Sequence, residues 1–465
     1  MSATGSSKRR REDGASGGDV ARRGLVSLNQ LDYVLQPDLS VAVSRNMKRH
    51  FFQRTKYSPG TDAICILNSG ADYIDPQHSY LAFDVECKGK AISLGSGSGL
   101  NFIERVILTT RSGDELERVA DVNKLSGLIN AYTRSSEWKR TTGSMMGYSE
   151  KYDADTVLAT VTAEPTVSGD TVHGMVIAPL EAQKKRFVIP MSELFGLFRS
   201  FDRLLPSMLC SGLRIEIHWA DASNVGFSVG QPPASSADDH PALNWEVSDV
   251  SIMADSYQLT DSIQRVLNEE ASIKGLEMVF SSWYHHATNT GVESSEVNIE
   301  LRKAVSRALG VLHQVGYRGT TKGPSIDPFL SKPILAGAGA NFQLRLGSMY
   351  FPQQPVTNRE ELYHHTLRGW GKLKTPSAPG SVSMDQFIKH SGCVYTDLER
   401  STTQKLTGVP VNNSRIIEIR GKDSFTVTAP AKFNNTGAPA AYTHNIWLHY
   451  VRLARVFLQN VEVEE

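Results

Sequence analysis

From Leu25 onward the chain falls into short stretches in which apolar and polar residues alternate, each closed by a cluster of Gly, Pro, Asn or Asp. A two-residue rhythm puts every second side chain on one face, as a strand with one buried face requires. Candidate strands are SYLAFDVECKG, NFIERVILTT, RFVIP, GLRIEIHWA, WEVSDVSIMAD, KGLEMVFSSWY, the apolar positions of AVSRALGVLHQV, NFQLRLGSMYF, SRIIEIR and NIWLHYVRLARVFL. Many short strands between turn clusters predict an all-β chain of sandwiches or barrels. Helical periodicity is confined to DELERVADVNKLSGLINAY after Gly113, MSELFGLFRSF after Pro190, LTDSIQRVLNEEAS from Leu259, and TNREELYHHTLRGW, where Thr357 or Asn358 is placed to cap the first turn.

The strand pattern occurs twice. SGLRIEIHWA, a loop and WEVSDVSIMADSYQL are matched by NSRIIEIRG, a loop and NIWLHYVRLARVFL, so that Gly212 and Asn412, or Trp245 and Asn445, lie 200 residues apart. Earlier in each half, FIERVILTTRSGDELERVADVNKL is matched by FQLRLGSMYFPQQPVTNREELYHHTL at an offset of 240, Phe102 against Phe342. The first half therefore holds about 40 extra residues, and Trp138 to Pro179 is the expected insertion. The expected organisation is an arm over residues 1–24, a first β unit over 25–258, a linking helix over 259–272, and a second β unit over 273–465.

The arm is Gly, Ser, Ala and charge with almost no large apolar side chain, so it is expected to be disordered. Its Lys8, Arg9, Arg10 and Arg11 are a nuclear-import signal or a nucleic-acid contact on one reading, and a solvated tail on the other, since Glu12 and Asp13 dilute the field at once. Over the whole chain 49 basic residues balance 49 acidic ones, which leaves no global field to recruit nucleic acid or an anionic membrane. No apolar run reaches the ~18 residues of a membrane span, and the first residues lack the apolar core of a signal peptide, so a soluble protein made inside a cell is expected. Cys65, Cys87, Cys210 and Cys393 form no C-x-x-C pair and are expected to be small buried apolar residues.

The glycine run in GSGSGLNFIERVILTT invites comparison with a phosphate loop, which needs a strand, a glycine turn and then a helix. Here the residues after the glycines alternate as a strand, no Lys-Ser or Lys-Thr follows, and Gly97 stands where a hydrolase elbow needs its serine. A flexible connector between strands is expected instead. The pairs His285–His286 and His364–His365 have the wrong spacing for shared metal ligation, because adjacent side chains diverge on strand and helix alike. Glu296 with Glu300, or Asp397 with Glu399, suit a solvated strand face better than a glycosidase pair. Trp219, Trp245, Trp283 and Trp447 are expected in the core. No catalytic, cofactor or metal residue is assigned.

RFVIPMSELFGLFRSFDRLLPSMLCSGLRIEIHWA, with Ile189–Pro190, a short amphipathic helix, Leu205–Pro206 and then Gly212-Leu-Arg-Ile-Glu, resembles the first jelly roll of double jelly-roll major capsid proteins. The likeness is to those of polinton-like viruses, adintoviruses and virophages. FQLRLGSMYFPQQPV with its helix, TDLERSTTQKLTGVPVNNSRIIEIR, YIDPQHSYLAFDVE and HNIWLHYVRLARVFLQNVEVE are similar to other parts of that family. The resemblance runs from about Asp72 to the end and leaves out Trp138 to Pro179 and the arm. It implies two eight-stranded jelly rolls side by side, homotrimers of pseudo-hexameric outline, and an icosahedral shell of a DNA virus. Neighbouring capsomers, penton proteins and minor capsid proteins are the implied partners, and the virion, built in a host cell or its nucleus, is the implied location. GSGSG then joins two jelly-roll strands, its glycines giving slack at an edge or passage past a neighbouring subunit. Neither enzyme activity, nor a cofactor, nor a small-molecule substrate comes with the family. The alternatives are a two-jelly-roll glycan-active enzyme or lectin, and a coat protein of a single-stranded genome that uses Lys8 to Arg11 on nucleic acid.

Overall fold

The computed structural model describes residues 42–465 except 89–90, 150–174, 178–183, 223–224, 230–243, 292–295, 319–330, 332–333, 336–338, 375–379, 381, 390–391, 402–405, 424–440 and 458–459. The arm and its Lys8, Arg9, Arg10 and Arg11 lie outside the described residues. Sixteen strands carry the architecture. In the first half they are β1 (Ala42–Phe51), β2 (Asp62–Asn68), β3 (Tyr73–Cys87), β4 (Ile103–Thr109), β5 (Glu115–Ala120), β6 (Lys185–Pro190), β7 (Ser211–Trp219) and β8 (Trp245–Leu259). In the second half they are β9 (Leu276–Gly291), β10 (Glu296–Leu301), β11 (Val305–Arg318), β12 (Asn341–Leu346), β13 (Met349–Val356), β14 (Cys393–Asp397), β15 (Ile417–Lys422) and β16 (Ala441–Val456).

The first eight form two antiparallel sheets in the orders β1-β8-β3-β6 and β2-β7-β4-β5. The last eight form β9-β16-β11-β14 and β10-β15-β12-β13. Adding eight to every strand of the first half reproduces the second. Each half interleaves its strands between two facing sheets as two Greek keys do, which is the jelly roll. Ala91–Ser93, Val176–Ile177 and Phe227–Val229 add a small three-stranded sheet to the first roll.

The alternation read from the sequence fills the space between the sheets. In the first roll Phe83 meets Trp219 edge-on at 5.2 Å, and Phe102 meets Trp245 at 5.0 Å, all four with at most 1% of their surface exposed. In the second, Phe280, Phe342, Tyr442 and Trp447 are buried. The four cysteines are buried and unpaired as disulfides, and burial pushes the Cys65 thiol up to about 12.

Helix α1 (Val122–Thr133) follows β5, and α2 (Asp261–Ile273) joins β8 to β9. Helix α3 (Arg359–Gly369) follows β13 and is capped by Asn358, whose side chain accepts from the Glu360 N–H at 2.9 Å. Thus α1 and α3 occupy the same place in the two rolls. The helix expected from Asp114 starts only at Val122: Glu115–Ala120 is β5, paired with β4 from Arg105↔Ala120 to Thr109↔Glu115. A hairpin closed at Gly113, with φ +99°, overrides the helix-forming Glu and Leu there, because strand pairing buries Leu116 and Val119. MSELFGLFRSF breaks at Phe195 into Met191–Leu194 and Gly196–Ser200.

The glycine run corrects a second expectation. Residues 95–102 are all buried, and a capped 3-10 turn, Gly99–Phe102, leads directly into β4. Asn101 donates to Leu94 O at 3.2 Å and Val225 O at 3.0 Å. A Cβ at Gly97 would sit 2.2 Å from the Asn101 amide oxygen, and one at Gly99 would sit 2.8 Å from the Phe187 ring. The glycines permit close packing; they are not slack. Of the expected insertion, Met146, Tyr148 and Ile177 are buried against the first roll, while 150–174 lies outside the described residues.

Candidate functional site: the seam between the rolls

The most elaborate polar chemistry among the described residues lies where the first roll meets the second. Both β5 and β9 end their sheets, and an edge strand presents backbone and side chains sideways. Glu117 on β5 is fully buried there. Its carboxylate accepts from the backbone N–H groups of Gly196 at 2.8 Å and Leu197 at 3.1 Å, and from the Ser282 hydroxyl of the other roll at 2.8 Å. Burial pushes this carboxyl up, against the pull of those three donors and of Arg452. Gly196 lies so close to β9 that a Cβ would fall 1.6 Å from Ser281 O.

Two further links flank that centre. Arg452 on β16, with 6% of its side chain exposed, donates to Leu116 O at 2.6 Å and pairs with Glu465 at 2.6 Å. Asp121, between β5 and α1 at φ +50°, meets His285 Nδ1 at 2.7 Å and Lys124 at 3.0 Å. Burial acts to raise the Asp121 carboxyl, but His285 and Lys124 outweigh it and hold it well below the usual carboxylate range. Ser200 and Ser281 exchange a hydroxyl hydrogen bond at 3.0 Å, and Tyr132 of α1 meets Phe387 edge-on at 6.5 Å. The first roll supplies carboxylates to this seam, and the second supplies Arg452 and His285.

Residues singled out in the sequence do not converge on a reactive centre. His285 serves the seam, whereas His365 faces Glu361 at 3.8 Å on α3. Glu300 pairs with Arg302 at 2.7 Å, Glu296 with Lys422 at 3.9 Å, and Asp397 caps the Glu399 N–H at 2.9 Å. Trp219, Trp245, Trp283 and Trp447 are at most 5% exposed. A cleft of about 770 Å³ opens among Arg111, Ser207, Gln264 and Asn460, and its described lining holds no carboxylate. Asp75, His78 and Asp255 bring three ligand atoms within 4.8 Å of one another. There Arg45 already pairs with Asp255, at 2.9 Å from its Nε, and His78 with Asp75, at 2.7 Å. No described helix is long and apolar enough to cross a membrane.

Sequence reasoning missed Glu117, Asp121, Gly196 and Arg452. The available signal was Glu117 itself, a carboxylate between Leu116 and Val119 in a segment whose alternation was read as helical.

No protein-family model matches the chain, and no curated protein matches it. Solved structures do. VP54 of PBCV-1, fitted into a reconstruction of the virophage Sputnik, superposes with a TM-score of 0.59 at 10% identity over 93% of this chain and 99% of its own. A chain from the cryo-EM structure of the Sputnik virophage gives 0.56 at 8% identity, over 100% of this chain and 93% of that one. The Faustovirus major capsid protein gives 0.56 at 8% identity, over 94% and 96%. The chain shares their fold, the double jelly roll. The likeness spans both rolls, so the duplication belongs to the fold itself.

Proposed function

We propose that this double jelly-roll chain is a viral major capsid protein, whose homotrimers are pseudo-hexameric capsomers tiling an icosahedral shell. The observation that carries the proposal is the duplication: two eight-stranded rolls with identical strand order fill one chain, and the matched structures share that plan over nearly their whole length. Two similar wedges per chain suit a ring of three chains and six rolls, closed by heterologous contacts about a threefold axis. The Faustovirus protein is named a major capsid protein. This role places the protein in the virion, with neighbouring capsomers, penton proteins and minor capsid proteins as partners. It asks nothing of catalysis, a cofactor or a small-molecule substrate. Lys8, Arg9, Arg10 and Arg11 are left for nuclear import or a weak nucleic-acid contact.

Mass photometry of the purified protein at nanomolar concentration tests this. One species near three times the 51.1 kDa chain mass is expected, because obligate interfaces above ~2,000 Å² survive dilution. A monomer at every concentration, stabilised by glycans, would move the assignment to the enzyme or lectin class.

A further inference from the structure

The two rolls share one strand order, so equivalent strands show what the fold itself requires. In the first roll β3, β4 and β8 bring Phe83, Phe102 and Trp245 into the core, with Phe102 edge-on to Trp245 at 5.0 Å. The equivalent strands of the second roll, β11, β12 and β16, bring His313, Phe342 and His444. His313 stacks on Phe342 at 6.1 Å and on His444 at 5.3 Å, the two imidazole planes lying 6° apart, and its Nε2 is 3.0 Å from His444 Nδ1. His313 is 3% exposed and His444 is fully buried. The first roll fills its core from these strands with aromatic and aliphatic side chains, so the jelly roll does not demand the histidine pair. We propose that His313 and His444 form an acid-operated latch, which holds the second roll shut while at least one of the two facing nitrogens carries no proton and releases it when both rings are protonated.

The limit is one of contact before it is one of charge. A hydrogen bond between two imidazoles needs an N–H on one side and a lone pair on the other. Two N–H groups cannot face each other across 3.0 Å, so the closed pair holds at most one proton beyond those of its neutral rings. In an opened chain both rings are independent, and each takes up its extra proton near ~6.5. Below that pH the open form therefore binds more protons than the closed one, and acid favours opening. One extra proton at most on the closed pair, against two independent sites on the open one, makes the opening constant rise at least about eight-fold between pH 6.5 and 5.0.

The surroundings do not lift that limit. On β14 Val394 stands opposite His313, and β12 and β15 contribute Phe342, Leu344, Ile417 and Ile419, none of which titrates. On β16 the Tyr442 hydroxyl, two residues before His444, is pushed up to about 12 by burial and then by Asp423, which follows β15. That anion favours a first proton on the pair and leaves the second barred by contact. Across β16, His286 of β9 stands in register with the same Ile446 as His313, and burial, with His285 beside it, lowers its pKa. His286, and His449 on the opposite face of β16, thus act in the same direction as the latch. The latch rests on the fold alone; under the capsid reading it makes the second roll a place where acid loosens the shell.

Hydrogen exchange of the full chain, read by mass spectrometry on peptides from β11 and β16 and corrected for the intrinsic pH dependence of amide exchange, measures the opening. In the wild type the opening constant should rise at least about eight-fold from pH 6.5 to 5.0. His313→Gln keeps a hydrogen-bond donor and acceptor but takes no proton, and should take about ten-fold out of that rise. The comparison of variant with wild type isolates the pair, because His286 and His449 are present in both. His444→Gln serves as the second variant where the first does not fold at pH 7. A wild-type rise below eight-fold, or variants whose rise equals that of the wild type, would overturn the latch and leave the capsid reading standing.

Discussion

Adding one methyl group at Gly196 is expected to strain the whole inter-roll seam. The added Cβ falls 1.6 Å from Ser281 O, 2.8 Å from its carbonyl carbon and 2.9 Å from Glu117 Oε1. Normal contact for such atoms is ~3.5 Å, so the two backbones must separate by about 1.5–2 Å. Ser281 O belongs to a paired strand, in register with Val451, and cannot swing aside as a side chain would. Separation on that scale strains the bonds of Glu117 to Gly196, Leu197 and Ser282 and of Ser200 to Ser281. Overpacking costs about 1–3 kcal/mol, and the two of these bonds that cross between the rolls, Glu117 to Ser282 and Ser200 to Ser281, add about 1 kcal/mol each. Gly196→Ala should therefore lose about 3–5 kcal/mol, a fall in Tm of roughly 8–15 °C for units of this size. Differential scanning calorimetry checks it, with Gly113→Ala as the control: Gly113 has open space but φ +99°, so strain alone costs about 1 kcal/mol there. If Gly196→Ala melts within about 2 °C of the wild type, the rolls do not touch as described.

Three further outcomes are expected. His449 stacks on Trp283 at 4.2 Å with its Nδ1 3.1 Å from the Tyr395 hydroxyl, and burial, with Arg199 nearby, lowers its pKa to about 3. Its neutral form is thus a stabiliser fully present above the ordinary ~6.5 and lost as pH falls from there, by up to about 2 kcal/mol at pH 5. A His449→Asn chain should show a shallower fall of Tm between pH 7 and 5, and an unchanged slope would contradict this. Gly97→Ala should lower Tm through the 2.2 Å clash with Asn101, and ATP titrated by calorimetry should give no heat with wild type or variant; micromolar binding would restore the phosphate-loop reading. Removing residues 1–24 should leave Tm within a few degrees, since they contribute no large apolar core, and a larger drop would show that the arm is tied into the fold.

The strands were legible because burial on one face writes a period of two into the sequence, as Leu213, Ile215 and Ile217 on β7 show. The duplication was legible for the same reason: Ile217 and Ile417, 200 positions apart, are both fully buried. Glu115–Ala120 was not, since Glu, Leu and Arg favour helix locally and only the hairpin with β4 makes the segment extended. The glycine run misled through composition alone. Gly and Ser suit a flexible linker and a site of close approach equally well, and only Asn101 and Phe187, placed by tertiary structure, distinguish the two. The seam was hidden for a deeper reason. Glu117 and Ser282 are 165 positions apart, and no local pattern marks a pair that meets only after both rolls have formed.

The division between core and seam follows from what each must accomplish. Within a roll, aromatic side chains between the sheets bury apolar area without regard to direction, and a duplicated pattern suffices to specify them twice. Between rolls, the contact must select one orientation out of many for two nearly identical bodies, and apolar surface alone discriminates poorly. A buried carboxylate held by three donors from two elements satisfies its partners in one arrangement only, and misalignment leaves a charge unpaired in the interior. Gly196 adds a steric requirement of the same kind, since only a residue without a side chain fits against Ser281 O. The seam therefore fixes the angle at which the first roll meets the second.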